Sequence, residues 1–176
     1  MDGQLPVNLL SRLFGTSDPR EGLRPLWHRS VEISREPEWY ADCGVADTVP
    51  GRFDMVTAVL SLVLLRLEEI DRAPETALLT ELFVEDMDGQ LRESGVGDIV
   101  VGKHMGKLMA TFGGRLGAFR EALAASNDVA LVETVRRNVT LDEGAGPEAL
   151  ATRLRALSDA LSSTAADDLL AGRIER

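Results

Sequence analysis

The chain has 176 residues, enough for one domain with a sizeable core. Its residues are 44% hydrophobic but only 5% aromatic, and the formal net charge is −10. That balance suits a helical protein rich in Leu, Ala, Val and Met, and it excludes general nucleic-acid binding, DNA included, because phosphate neutralisation needs a basic surface.

The single cysteine, Cys43, excludes an internal disulfide and a cysteine zinc site. His28 and His104 are far apart in sequence and form no ligand pair, so neither a metal nor a cofactor is expected. Residues 1–18 read as a short amphipathic turn followed by a loop, without the basic-then-apolar layout of a secretory signal. A first helix is predicted over about 19–35, with Asp18 as N-cap and Pro19 at the first helical position. The stretch "EPEWYADCGVADTVPG" reads as a loop crossed by a short helical turn. Thr48 and Pro50 then open a second helix to about Asp71, whose Phe53, Val56, Leu60, Val63, Leu64 and Leu67 keep a helical period. It is the expected centre of the fold. Its apolar run "MVTAVLSLVLL" is about half of the roughly 20 residues that span a bilayer.

Pro74 starts a third helix to about Ser94, and a fourth, the longest, runs from about Asp98 to Ser126. A fifth covers about 128–140, a sixth follows Pro147, and a short frayed one closes the sequence. The expected architecture is a single all-α bundle of about six to seven helices. It divides into an N-terminal segment (1–18), a helical domain (19–142) and C-terminal helices (143–176) packed on or extending it.

Gly97 to Lys103 spells G-x-x-x-x-G-K, the start of a phosphate-binding loop. Three features oppose that nucleotide-enzyme reading. The preceding segment is helical and acidic instead of an apolar strand, His104 stands where a magnesium-holding Ser or Thr belongs, and the interior "DIVV" is β-branched. On a helical wheel Gly102, Gly106, Gly113 and Gly117 fall with Ala110 in one stripe, beside an apolar face of Val101, Met105, Leu108, Phe112, Leu116, Phe119 and Leu123. Each glycine costs about 0.8–1 kcal/mol against Ala. The expected compensation is close approach of another helix backbone. "DMDGQLRESGVGD" likewise resembles the opening of a calcium loop, but Gly89 is misplaced and the final Glu is missing.

Asp86 falls on the apolar arc of the third helix, among Leu79, Leu82, Phe83 and Met87. A buried ion pair is expected there, with Arg52, Arg115 or Arg120 as partner. Lys103, His104, Lys107 and Arg115 form a basic strip on an otherwise acidic chain, suited to an acidic or phosphate-bearing partner or simply to solvent. Met87, Met105 and Met109 suit either core filling or an adaptable apolar surface.

Five ordered motifs carry a resemblance to a known family. They are "WY" at 39–40, "DTVPGRFD" at 47–54, "DMDGQLRESGVGDIVVGKHM" at 86–105, "GR" at 114–115 and, more loosely, "RRNV" at 136–139. Together they resemble the ubiquinol–cytochrome c chaperones, assembly factors of the cytochrome bc1 complex (complex III), over about residues 20–140. Phe119 departs from an expected tyrosine. The resemblance implies a non-enzymatic helical chaperone for newly made cytochrome b or another complex III precursor. It implies a small helical partner protein and peripheral contact with the ribosome or inner membrane, here from the cytoplasmic side of a bacterial membrane. Candidate partner or client contacts are Trp39, Tyr40, Asp88, Arg92, Lys103, His104, Lys107 and Arg115. A helical adaptor without a dedicated client is the alternative.

Overall fold

The computed structural model describes residues 18–93 and 98–175. Its described residues are all-α, with α1 Arg24–Ser34, α2 Pro37–Ala41, α3 Val49–Glu69, α4 Ala73–Glu93, α5 Asp98–Ala124, α6 Val129–Asn138, α7 Glu148–Ser163 and α8 Ala166–Leu170. Residues 1–17 of the expected N-terminal segment, and Gly97 at the start of the G-x-x-x-x-G-K stretch, lie outside the described residues.

The bundle is built around α3. Between Asp54 and Arg66 the sequence has no charged residue, so this helix can be buried on every side. Met55, Val59, Leu60, Val63, Leu64 and Leu67 are all fully enclosed, and α1, α4, α5 and α7 each pack against it. Burying a Leu, Val or Met side chain contributes about 1.5–3 kcal/mol. The start of α3 follows from local chemistry. Thr48 is the N-cap and its side-chain oxygen accepts the Gly51 amide at 3.3 Å, with Pro50 in the first turn.

The start of α1 differs from expectation. Asp18 accepts the Arg20 amide at 3.0 Å and holds the Arg20 guanidinium at 2.7 Å. It therefore tightens a turn upstream of a short 3₁₀ segment, Glu21–Leu23, instead of capping the helix. The α-helix begins at Arg24, with Pro25 in its first turn, where an amide has no partner to lose.

Two loops meet beside the N-terminus of α3. The Ala46 amide donates to the Thr140 carbonyl at 3.0 Å and the Asp142 amide to the Gly44 carbonyl at 2.9 Å, flanking an antiparallel bridge between Val45 and Leu141. This pairing presses the 44–47 loop onto α3. A Cβ on Gly51 would collide with the Ala46 carbonyl oxygen. Farther along, Arg155 of α7 closes the end of α5, donating to the carbonyls of Leu123 at 2.8 Å and Ala122 at 3.3 Å. It also reaches the Asp128 carboxylate at 3.0 Å. A cation is favoured at this helix end, where carbonyls lack amide partners.

The glycines of α5 contradict the close-packing expectation. At Gly102, Gly106, Gly113 and Gly117, and at Gly114, an added Cβ would meet nothing within 4 Å. The stripe lies beside the apolar face but turned outward; Phe112, Phe119 and Ala122 make the contact with the core. No helix of this chain approaches those glycines among the described residues.

Opposite responses to one added methyl follow. Gly51→Ala should lower the stability to urea unfolding by about 1–3 kcal/mol, the usual overpacking range. Gly106→Ala should raise it by about 0.5–1 kcal/mol, because only the conformational penalty of glycine changes. A loss at Gly106 would show that its face is covered after all.

Candidate functional site

Among the described residues, a groove of about 1280 Å³ opens on one side of the bundle. One side is formed by the end of α1 (Val31, Arg35), α2 (Pro37, Tyr40, Ala41) and the start of α3 (Val49, Pro50, Arg52, Phe53, Val56). The other comes from the last turns of α4 (Asp86, Met87, Gln90, Leu91), with Leu108 of α5 also lining it. Most of these side chains are apolar. Val49 is 83% exposed, a large apolar group left in water at the groove's lip.

The polar groups sit on the rim. Tyr40 donates its hydroxyl to the Ser34 carbonyl at 2.9 Å, and partial burial pushes the phenol above its ordinary pKa. It therefore stays a neutral donor whose ring forms part of the wall. Arg52 donates to Asp47 at 2.6 Å, and this partner holds the Asp47 carboxyl below its usual range. Both members are exposed, so the pair tethers the rim more than it stabilises the fold. Asp86 accepts a long 3.4 Å hydrogen bond from Gln90 and makes no ion pair among the described residues. Arg35 makes no side-chain hydrogen bond or ion pair among them either.

These positions revise the buried-pair expectation. Asp86 is half-buried at the edge of α4's apolar arc and opens into the groove, while Leu79, Leu82, Phe83 and Met87 take the interior. Arg52 serves Asp47. Arg120 makes a two-pronged bond to Glu68 at 2.8 and 3.0 Å on the surface between α5 and α3.

The buried pair belongs to Asp54 and Arg115, which meet at 2.6 Å with side chains 7% and 16% exposed. The second oxygen of Asp54 accepts the Thr140 amide at 2.9 Å and the Thr140 hydroxyl at 2.7 Å. Arg115 also donates to the Thr57 hydroxyl at 2.9 Å and lies 5.8 Å from the centre of the Phe53 ring. Four groups thus satisfy one another where α3, α5 and the 139–142 loop meet. This knot fixes the first turns of α3, the same turns that carry Val49, Arg52 and Phe53 into the groove. Arg115 is consequently no member of an exposed strip. A sequence signal existed: an Asp in a helix with no further charge for eleven residues must be buried with that helix.

The other candidates divide as follows. Trp39 is fully buried, donating its indole N–H to the Ile33 carbonyl at 2.6 Å beneath the Arg153 guanidinium at 4.9 Å. It pins α2 to the bundle and is not a surface anchor. Asp88 and Arg92 pair at 2.6 Å along α4. Lys103, His104 and Lys107 are exposed on α5, and from residue 99 to 120 the sequence contains no acid. On a chain of 29 acids and 19 bases, that is a local cationic face. Met87 is buried, and Met105 and Met109 pack against the core, so the methionines mainly fill.

A helical bundle presenting one large apolar groove with a charged rim is built as a binding protein. The chain belongs to the ubiquinol-cytochrome C chaperone family, whose model matches residues 41–176. It is also similar to a solved structure, the crystal structure of the Cbp3 homolog from Brucella abortus. The two are 29% identical, with a TM-score of 0.76 over 96% of this chain and 95% of that one. A comparison with curated proteins finds no match.

Because Asp54 and Arg115 are buried together, removing either strands the other. Arg115→Leu should cost about 3–5 kcal/mol in urea unfolding. Asp54→Asn should cost a similar amount, since its amide would face the guanidinium donors. Double variants should lose less than the sum of the singles. Single variants within 1 kcal/mol of wild type would remove the knot from the account.

Proposed function

We propose that this protein is an assembly chaperone of the cytochrome bc1 complex that holds newly made cytochrome b in its groove. The observation that carries the reading is convergence. Tyr40, Arg52, Phe53, Asp86 and Met87 come from three separate family motifs and line one apolar groove. Apolar surface covered in such a groove contributes about 25 cal/mol per Å², enough to keep a client segment from aggregating without any covalent step. The role is one of binding, and no residue is assigned to catalysis.

The cationic face of α5, with Lys103, His104 and Lys107, is assigned to a second contact with an acidic partner, such as a small helical protein. Charge of this kind speeds encounter and selects partners more than it adds affinity. No helix among the described residues is long and apolar enough to cross a membrane. The proposed place of work is peripheral, at the cytoplasmic face of the inner membrane beside the ribosome.

In a strain lacking the gene, assembled cytochrome bc1 and cytochrome b protein should fall while the cytochrome b transcript is unchanged. Restoring the wild-type gene should recover both, and Val49→Asp should not, although that exposed position leaves the thermal midpoint unaltered. Normal complex levels in the deletion strain would reject the proposal.

A further inference from the structure

We infer that the groove takes a short amphipathic helical segment carrying a base opposite Asp86 and an acid opposite Arg35, and not a complete membrane span. The inference rests on the groove being the client site and specifies what fits there. Among the described residues its walls are short. Residues 49–56 of α3 and 86–91 of α4 line it, lengths of about 11 Å and 8 Å at 1.5 Å per residue. A span crosses about 30 Å of hydrocarbon, so most of one would lie outside.

Charge makes the sharper distinction. Among the described residues Arg35 makes no side-chain contact with an acid, and Asp86 makes none with a base. They stand on different walls, Arg35 at the end of α1 and Asp86 on α4. A purely apolar occupant would strip water from both and return nothing, which is unfavourable for any ionised group. An occupant with one residue of each sign turns the same two charges into paired contacts and fixes the direction in which it lies. The apolar wall of Val31, Phe53, Val56, Met87 and Leu108 then receives its other face.

The test uses the full chain and synthetic fluorescent peptides covering each extramembrane segment and each membrane span of cytochrome b, the spans in detergent micelles. A two- to three-turn extramembrane peptide with both charges should bind. Arg35→Glu should weaken it about tenfold, and a peptide with its acid changed to Lys should recover affinity for that variant alone. Asp86→Lys should show the reciprocal pattern. All variants lie at the rim, and unchanged thermal midpoints would confirm that they fold. Binding of spans alone, or binding indifferent to both swaps, would overturn the inference while leaving the chaperone role standing. Photocrosslinks from Val49 and Leu91 that reach only residues 1–17 of the same chain would overturn it too, by showing the groove self-occupied. If no cytochrome b peptide binds and the deletion strain assembles normal complex, both the inference and the proposed function fail.

Discussion

The Asp54 carboxylate is the constraint on which the working end of the molecule depends. It accepts hydrogen bonds from Arg115 on α5 and from both donors of Thr140 in the loop before α7. Three pieces of chain, far apart in sequence, are joined at one side chain. Buried ion pairs often add little net stability, because desolvation offsets attraction. Their usual gain is geometric, since only one arrangement satisfies every donor and acceptor. Here that arrangement sets the angle at which α3 leaves the 44–48 loop and so sets the position of the groove's wall. The knot also lets the loop pairing press close enough to α3 that only a glycine fits at residue 51.

The division of polar residues follows from this. Beneath the groove the charged groups and hydroxyls of the Asp54, Thr57, Arg115 and Thr140 set are matched. At the rim they are matched loosely, as in Asp47–Arg52, or left for solvent, as at Arg35 and Asp86. A rigid floor beneath an unsatisfied rim is a sensible division of labour for a protein that must hold a client and release it. The floor keeps its shape when empty, and the rim loses little when the client departs because water replaces each contact.

Much of the fold was legible before any coordinates. Turn signals and helical periodicity placed the helices, and the uninterrupted apolar run of α3 marked the centre of the bundle. The short α2 was visible as a helical turn between prolines. What periodicity cannot show is what lies across from a given face. Asp86 and Asp54 are both acids on apolar helices, and a wheel alone favoured the wrong one. Asp86 is at the edge of an arc that ends in a groove, whereas Asp54 is on a helix buried all round. The glycines of α5 failed for the same reason: the stripe was real, but among the described residues no helix lies across from it. The groove was out of reach because Val31, Arg35 and Leu108 belong to no motif, and their convergence with Val49 and Leu91 depends on how α1, α3, α4 and α5 cross.

Near the other end of the chain, Gly172 adopts a positive φ of 72° with the Pro25 carbonyl so close that a Cβ would sit 2.6 Å from its oxygen. Leu169 and Ile174 are buried in the same core as Leu26, so α8 seals the outer side of α1. Protein synthesis runs in the opposite sense to this dependence. The helix that ends at the groove, α1, is made before its own backing, residues 169–174. Until those residues are made, α1 lacks the packing on its outer side. The groove wall that α1 forms therefore takes its final place only once the core behind it has closed.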